Sequence, residues 1–256
     1  MRDVWDPARY ERFRDERNRP FRDLLALVRP RDGMRVIDLG CGTGELTALL
    51  HRQLAARETL GIDRSAAMLA RTAGREADGL RFEHADVADL PADGRWDLVF
   101  SNAVLHWLPA HAALFARLTA ALADGGQLAV QMPSNYDHPS HTVAAEVARE
   151  DPFREALGEH AGQPGVLVPE LYATILDRLG YREQDVRLQV YAHRLPARDD
   201  VVEWVRATLL TAYESRLPPE VFARFLARYR ERLLPRLEGR RPYLFSFKRL
   251  LIWAGR

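Results

Sequence analysis

The chain has 256 residues, 47% of them hydrophobic and 29% charged, so it can bury one large core or one core with a small appended subdomain. Its 37 basic and 36 acidic residues give a formal net charge of +1. A net charge this small gives the chain no overall electrostatic attraction to nucleic acid. The single cysteine, Cys41, excludes an intrachain disulfide and a cysteine-based zinc cluster.

The hydropathy pattern is not typical of an exported or membrane-inserted protein. The first 20 residues lack the apolar core of a secretion signal. No stretch approaches the roughly 18 uninterrupted apolar residues that a membrane span needs. We therefore expect a cytoplasmic protein with no membrane contact, no nucleic-acid partner and no obligate protein partner.

Residues 1–30 have helical periodicity, and the pattern changes at Asp32-Gly33. From there, short β-rich runs alternate with helical runs. The predicted strands are 35–39, 59–62, 80–83, 96–101 and 126–132, and the predicted helices are 45–54, 65–72 and 111–123. Strands that alternate with helices of about ten residues imply βαβ units, and hence a doubly wound α/β fold with a mostly parallel sheet.

After Met132 the alternation stops, and the chain to about Gly180 is predicted to be helical. Strand character returns at 185–195 and 242–254, with helical stretches at 199–210 and 218–237 between them. We therefore predict one domain in four parts. These are an N-terminal helical lid (1–30), a cofactor-binding α/β core (31–133), a helical insertion (134–182) and C-terminal strands and helices (183–256). Trp5, Tyr10 and Phe13 suit either the lid or an amphipathic docking face.

The stretch "RVIDLGCGTGELTALL" carries Gly40, Gly42 and Gly44 between a predicted strand and a predicted helix. Free backbone N–H groups at the start of such a helix favour an anionic ligand group. A dinucleotide fingerprint would have a third glycine at Glu45, and the lysine of a triphosphate-binding loop is absent. Asp38, two residues before Gly40, would repel a pyrophosphate and attract a cation. The loop therefore suits a cationic nucleoside.

Two further acids follow the next predicted strands. Asp63 lies 19 residues after Gly44, close to the spacing at which an acid accepts hydrogen bonds from ribose hydroxyls. Asp86 follows the third strand, where it is positioned for an exocyclic adenine amine. Cys41 fits a small side chain in a tight loop better than a nucleophile, because no base is adjacent to it.

The segments "VIDLGCGTG", "GIDRSAAML", "FEHADV" and "WDLVFSNAVLHWL" together resemble the class I S-adenosylmethionine-dependent methyltransferases. The resemblance implies a Rossmann-like seven-stranded sheet whose last hairpin is antiparallel, with S-adenosyl-L-methionine as methyl donor and no metal. It also implies a cofactor site in which the glycines approach the methionine moiety, Asp63 takes the ribose and Met68 lines the adenine. The full set of cofactor residues is Asp38, Gly40, Cys41, Gly42, Asp63, Arg64, Met68, Asp86, Val87, Asn102 and Ala103.

A narrower resemblance extends over nearly the whole chain. The segments "WDPARYERFRDERNRP", "SNAVLHWLP", "AVQMPSN", "VVEWVRAT" and "FKRLLIWA" are similar to the trans-aconitate 2-methyltransferase family. This implies O-methylation of a carboxylate of a small organic acid, most concretely trans-aconitate. The sequence departs from the family at Leu209–Ala212, where a Gly-Leu-Arg-Pro-like run is expected. Two alternatives stay open: a methyltransferase for another small molecule, and a cofactor-binding protein without turnover.

A carboxylate acceptor is ionised at neutral pH and needs no general base, so we assign no catalytic residue. A polyanionic acceptor would need basic and polar side chains near the methyl group. The candidates are Arg17, Arg19, His106, Trp107 and Tyr136. His138 to His141 ("HPSH") is predicted to be a turn and not a metal site.

Overall fold

The computed structural model describes residues 14–158, 165–206 and 208–256, with side chains from Asn18 onward. The predicted lid residues Trp5, Tyr10 and Phe13 lie outside these ranges. The strands are β1 Arg35–Leu39, β2 Glu58–Asp63, β3 Leu80–His84, β4 Trp96–Asn102, β5 Leu122–Pro133, β6 Glu183–Leu195 and β7 Tyr243–Gly255.

The α-helices of the described ranges are mostly short. They are α1 Arg14–Leu25, α2 Glu45–Leu54, α3 Ala66–Leu69, α4 His111–Ala120, α5 Pro139–Ala148, α6 Phe153–Leu157, α7 Pro169–Arg178, α8 Asp200–Arg206, α9 Thr211–Glu214 and α10 Pro219–Leu233. Single 3₁₀ turns span Val87–Asp89, Leu105–Trp107 and Leu234–Arg236. Among these ranges, no helix has the length and apolar character needed to cross a membrane.

The strands form one seven-stranded sheet in the order β3-β2-β1-β4-β5-β7-β6. Strands β1 to β5 pair in parallel, and β7 pairs with β5 in the antiparallel sense. This confirms the predicted doubly wound, mostly parallel sheet. The strand order reverses between β1 and β4, and open α/β sheets bind ligands outside the carboxyl ends of their strands at such a reversal.

The central parallel strands β1 and β4 form where the sequence has mostly apolar runs. In β1 and β4 nearly every side chain is buried, because helices cover both faces of a parallel sheet. Local polar residues then set where helices start. The Ser65 hydroxyl accepts a hydrogen bond from the backbone N–H of Met68, which caps α3. Helix α2 starts directly after Gly44, whose φ of +75° suits glycine.

The chain divides into two compact units. The first comprises the described residues of Met1–Glu16, Asn135–Gln163 and Val190–Lys248, and the second Arg17–Ser134, Pro164–Gln189 and Arg249–Arg256. The first unit has one apolar core, centred on residues such as Trp204, Phe225 and Phe245. The second unit has two cores, one on each face of its part of the sheet. The four-part subdivision made from the sequence stays a prediction.

Candidate active site

The glycine loop joins β1 to α2 at the carboxyl edge of the sheet. The backbone N–H groups of Gly40 and Cys41 both donate to the carbonyl of Ile62, at 2.8 and 2.9 Å. Gly40 has a φ of +78°, and a Cβ there would lie 2.1 Å from Cγ2 of Val104. Any larger residue would therefore displace either the loop or the segment that follows β4.

Gly42 lies at the open part of the loop. Its φ is +58°, and the nearest atom to a Cβ built there is Cε of Met68, at 3.5 Å. Its N–H donates to Oδ2 of Asp63 at 2.9 Å, and Oδ1 of the same carboxylate accepts from the N–H of Ser65 at 2.8 Å. Asp63 therefore ties the loop to the end of β2. A carboxylate has about four acceptor positions, so these two bonds leave capacity for ribose hydroxyls.

Asp38 is nearly inaccessible to solvent at the end of β1, with 4% of its surface exposed. Burial raises the pKa of its carboxyl to about 7, a hydrogen bond from Thr47 opposes that rise, and the negative charge of Asp63 adds to it. The Thr47 hydroxyl lies 2.6 Å from Oδ2. A ligand cation at this position would favour the ionised form, as expected for a site that takes an ammonium or sulfonium group.

Asp86 follows β3 and caps the 3₁₀ turn Val87–Asp89, because its Oδ1 accepts from the N–H of Ala88 at 2.8 Å. Val87 is buried below it. In the second unit, the backbone carbonyl of Arg64 lies 3.0 Å from Nε2 of His84. The acids that the sequence singles out thus lie at or just after the carboxyl ends of three adjacent strands, β1, β2 and β3.

The end of β4 contributes the side-chain amide of Asn102, and the next residue, Ala103, has an unusual backbone conformation. Ala103 has a φ of +61°, which is uncommon for a residue other than glycine, and its N–H donates to the carbonyl of Gln131 at 2.9 Å. Such backbone strain concentrates at functional sites. Oδ1 of Asn102 is buried and has no hydrogen-bond partner among the described residues. This oxygen is therefore a candidate acceptor for a hydroxyl or ammonium of a ligand.

Cys41 is a buried residue with a raised thiol pKa. The main cause is burial, and the negative charges of Asp38 and Asp63 add to it. The thiol therefore stays protonated, which disfavours the nucleophile interpretation. A Cβ at Gly61 would lie 2.9 Å from Cβ of Cys41, so the loop packs tightly against β2 at this point. A small side chain is the role that the packing favours.

The candidate acceptor residues differ in their surroundings. His106 and Trp107 lie in the 3₁₀ turn just after β4, with ring centroids 4.5 Å apart. Arg19 is directed to solvent with 69% of its side chain exposed, and it lies 3.9 Å from Asp23. The side chain of Arg17 lies outside the described set, and Tyr136 belongs to the first unit, with its ring 5.7 Å from that of His141. His106 and Trp107 are therefore the candidates nearest in sequence to Asn102.

The "HPSH" segment caps a helix. The Nδ1 atom of His138 accepts from the N–H of Ser140 at the start of α5. Burial, with a smaller effect of the His138 charge, lowers the pKa of His141 to about 3, while Asp137 opposes the shift. His141 is therefore neutral near pH 7. Within the described ranges, no three histidine, cysteine or acidic residues cluster as a metal site.

Sequence reasoning missed several residues that shape this edge, namely Thr47, Ser65, Val104 and Gln131. The role of Ser65 could have been predicted from the sequence, because a serine before an apolar helical run is typical of a helix N-cap. Gln131 also had a detectable signal, since it is the only amide within the apolar run "LAVQM". Val104 had none, because its contact with Gly40 depends on the pairing of β1 with β4.

The sequence matches a methyltransferase domain family over residues 10–179. A protein of Deinococcus radiodurans named trans-aconitate 2-methyltransferase is 43% identical over 260 residues, covering 99% of this chain and 98% of its own. One of the same name from Methylobacterium nodulans is 43% identical over 257 residues, covering 98% of each chain.

Solved structures share the fold at low identity. The YcgJ protein of Bacillus subtilis has a TM-score of 0.61 and 14% identity, and the match covers 93% of this chain and 98% of that one. Phosphoethanolamine N-methyltransferase 2 of Haemonchus contortus, solved with S-adenosyl-L-methionine, has a TM-score of 0.55 and 16% identity. That match covers 93% of this chain and 52% of the other. The chain is therefore an S-adenosylmethionine-dependent methyltransferase and belongs, within the methyltransferase domain family, to the family of proteins named trans-aconitate 2-methyltransferase.

Proposed function

We propose that the protein methylates one carboxylate of trans-aconitate, forming a monomethyl ester and S-adenosylhomocysteine. The observation that carries the proposal is the 43% identity to relatives of that name over 98% or more of both chains. At this identity, and with full coverage, an unrelated acceptor would require a rebuilt pocket on a retained fold.

We further propose how the chain holds the methyl donor. Asp38 and Asn102 face the cationic methionine end, where the loop of Gly40 and Gly42 lets a ligand approach the backbone closely. Asp63 accepts hydrogen bonds from the ribose. The adenine lies against Met68 and Val87, with Asp86 accepting from its exocyclic amine. Cys41, Arg64 and Ala103 contribute backbone at the same edge.

Bound S-adenosylmethionine supplies a methyl group on a positively charged sulfur. The acceptor carboxylate oxygen bonds to the methyl carbon as the carbon–sulfur bond breaks, and no proton moves in that step. The work of the protein is therefore to hold the two reactants in line and to exclude water. This fits a site whose nearby carboxyls, Asp38 and Asp63, are held by hydrogen bonds and are not arranged as a base.

A specific observation favours a second candidate, a different small acid. Leu209 and Leu210 belong to the apolar core of the first unit. Thr211 is buried beside them in sequence, and its hydroxyl donates to the carbonyl of Thr208. This run therefore offers no cationic group for a third carboxylate. An acceptor with fewer carboxylates would need less positive charge.

The test is incubation of the purified protein with isotopically labelled donor and a panel of mono-, di- and tricarboxylic acids. We expect labelled monomethyl trans-aconitate by mass spectrometry, together with an equal amount of S-adenosylhomocysteine. Label on another acid alone would support the second candidate. Donor binding without label on any acid would favour a cofactor-binding protein that does not turn over.

The donor assignment has its own test in Asp63→Ala. This change removes both the ribose acceptor and the bond that holds Gly42, so we expect at least a tenfold loss of S-adenosylhomocysteine affinity by calorimetry, from two lost hydrogen bonds to a charged group. The matched control is Asp97→Ala, because Asp97 also accepts a backbone N–H, from Arg35 at 2.8 Å, but at the start of β4. The control should lower stability and keep affinity. Equal affinity in Asp63→Ala would refute the assignment.

A further inference from the structure

Four polar side chains lie on one face of the sheet, on four adjacent strands. In order across β1, β4, β5 and β7, they are Asp38, Asn102, Gln131 and Arg249. Neighbours in register share a face, and alternate residues of a strand do too. The register pairs are Asp38 with Phe100, Asn102 with Gln131, Gln131 with Leu251 and Pro133 with Arg249. The four side chains therefore form one row.

Gln131 is the unusual member of this row. It is fully buried, and neither its amide oxygen nor its amide nitrogen has a hydrogen-bond partner in the described ranges. Such a group costs free energy, because its hydrogen bonds to water are lost on folding and not replaced. A buried polar side chain that the fold leaves without hydrogen bonds is expected where a ligand supplies them.

Gln127 shows that the strand can satisfy a buried glutamine. It lies four residues earlier on the same face of β5, and its Nε2 donates to the carbonyl of Arg29 at 2.7 Å. Its Oε1 accepts from the N–H of Arg29 and from Nε1 of Trp253, both at 2.9 Å. The two glutamines differ in position: Gln131 is near the carboxyl end of the strand, where sheets of this kind bind ligands.

The row runs from a carboxyl group on β1, through two neutral amides, to a guanidinium group on β7. The carboxyl of Asp38 is at one end, the two amides of Asn102 and Gln131 are between, and the guanidinium of Arg249 is at the other end, with only 7% of Arg249 exposed. A cationic donor fits the Asp38 end. An amide N–H beside a guanidinium is a donor set for a carboxylate, which Arg can bind with two parallel bonds. The other end of the row therefore suits an anionic acceptor.

We propose that Gln131 and Arg249 bind an acceptor carboxylate that is not methylated, and so determine the preference for acids with more than one carboxylate. This inference rests on the proposed function and deepens it. The amide of Gln131 donates to one carboxylate oxygen, and Arg249 supplies the positive charge. Both are specificity residues. They orient the acceptor so that a different carboxylate reaches the methyl group.

The test compares Gln131→Met with the matched control Gln127→Met. For Gln131→Met we expect the KM for trans-aconitate to rise about tenfold to 100-fold, from the loss of a hydrogen bond to a charged group. We expect kcat to change less, S-adenosylhomocysteine affinity to stay within about twofold, and the melting temperature not to fall, since an unpaired amide has been removed. Gln127→Met should lower the melting temperature, because it breaks three hydrogen bonds.

A second variant tests the charge independently. Arg249→Lys keeps the positive charge but loses the planar fork, so the KM for trans-aconitate should rise, with donor affinity unchanged. If the wild type forms ester and both Gln131→Met and Arg249→Lys keep the wild-type KM, the inference is wrong while the proposed function stands. If the wild type forms no ester from trans-aconitate, the proposed function is wrong and this assignment falls with it.

Discussion

Asp38 is buried near the carboxyl end of β1, where we propose that it faces the methyl donor. Its carboxyl accepts one hydrogen bond, from Thr47, and lies near the charge of Asp63. With a pKa of about 7, the neutral form is populated in the free protein as the pH falls below that value. Because this pKa is raised relative to the unfolded chain, the contribution of Asp38 to stability is present at low pH and is lost as the pH rises through about 7.

Donor binding should therefore depend on pH. A ligand ammonium near Asp38 lowers the pKa of its carboxyl in the complex, so binding releases a proton when the free carboxyl is neutral. We expect S-adenosylhomocysteine affinity to be constant above about pH 8 and to fall below pH 7, approaching tenfold per pH unit. Calorimetry from pH 5.5 to 8.5 measures this. Asp38→Asn should bind weakly with no such slope. A flat profile for the wild type would contradict the prediction.

Helices α5 and α10 meet in the first unit through a buried polar contact and aromatic packing. The Tyr229 hydroxyl donates to the carbonyl of Ser140 at 2.9 Å, inside the core. One helical turn away, the ring of Phe225 stacks on that of Tyr213, with centroids 4.8 Å apart. The Tyr213 hydroxyl is also buried, and it has no hydrogen-bond partner among the residues that the structure describes. Two buried tyrosines in one core thus differ in hydrogen bonding.

This pair gives a stability prediction. Tyr229→Phe removes a buried hydrogen bond and leaves the carbonyl of Ser140 with less bonding, so it should lower the free energy of unfolding by about 1–3 kcal/mol. Tyr213→Phe removes an unpaired hydroxyl and should be neutral or stabilising. Urea unfolding of both variants provides the measurement. Equal destabilisation by the two changes would show that packing, and not the hydrogen bond, dominates.

Strand β5 carries both the structural and the proposed functional amide. Its apolar residues Leu128, Val130 and Met132 face one core, while Ala129 faces the other. The alternation of a strand places Gln127 and Gln131 on the same face as Ala129. Near the beginning of the strand, Gln127 is hydrogen-bonded to the backbone of Arg29. Near its end, the side-chain amide of Gln131 has no hydrogen-bond partner among the described residues. The two glutamines differ because Gln127 has Arg29 and Trp253 as hydrogen-bond partners, whereas Gln131 has none among the described residues.

Across the molecule, the proposed donor residues all belong to the second unit. They lie at or just after the carboxyl ends of β1, β2, β3 and β4, around the reversal of strand order between β1 and β4. The segments at these four strand ends are joined by hydrogen bonds such as those from Gly40 and Cys41 to Ile62. A ligand that bridges these strand ends binds the folded chain and has no comparable site in the unfolded one.

S-adenosylhomocysteine should therefore stabilise the protein. At a free concentration of 100 times its Kd, mass action adds about 2.7 kcal/mol to the free energy of unfolding. For a chain of this size we expect the melting temperature to rise by about 5–10 °C in a thermal-shift measurement. Asp97→Ala should show the same rise from a lower starting value. At the same ligand concentration, Asp63→Ala should show about half of that rise or less, because its Kd is at least tenfold weaker. Adenosine alone gives a second comparison, since it lacks the ammonium that Asp38 would bind.

Most of the fold was predictable because its signals are local. The bounds of β1 and α2 agree with the prediction, since an apolar run, a glycine loop and an amphipathic stretch follow one another there. The predicted helix at 65–72 is shorter in the structure, Ala66–Leu69, and the predicted helix at 199–210 ends at Arg206. Short helices depend on packing more than on propensity, so sequence periodicity defines their ends poorly.

Local patterns in the sequence were sufficient for the doubly wound α/β class, the glycine loop and the acids near the ends of three strands. Each of those signals lies within about 20 residues of chain. Motif segments spread along the chain carried the resemblance to the family. The burial that raises the pKa of Asp38, the contact of Val104 with Gly40, and the row that joins Asn102, Gln131 and Arg249 depend on the tertiary structure. These features arise from strand register between distant segments, and a shift of one residue would turn each side chain to the opposite face.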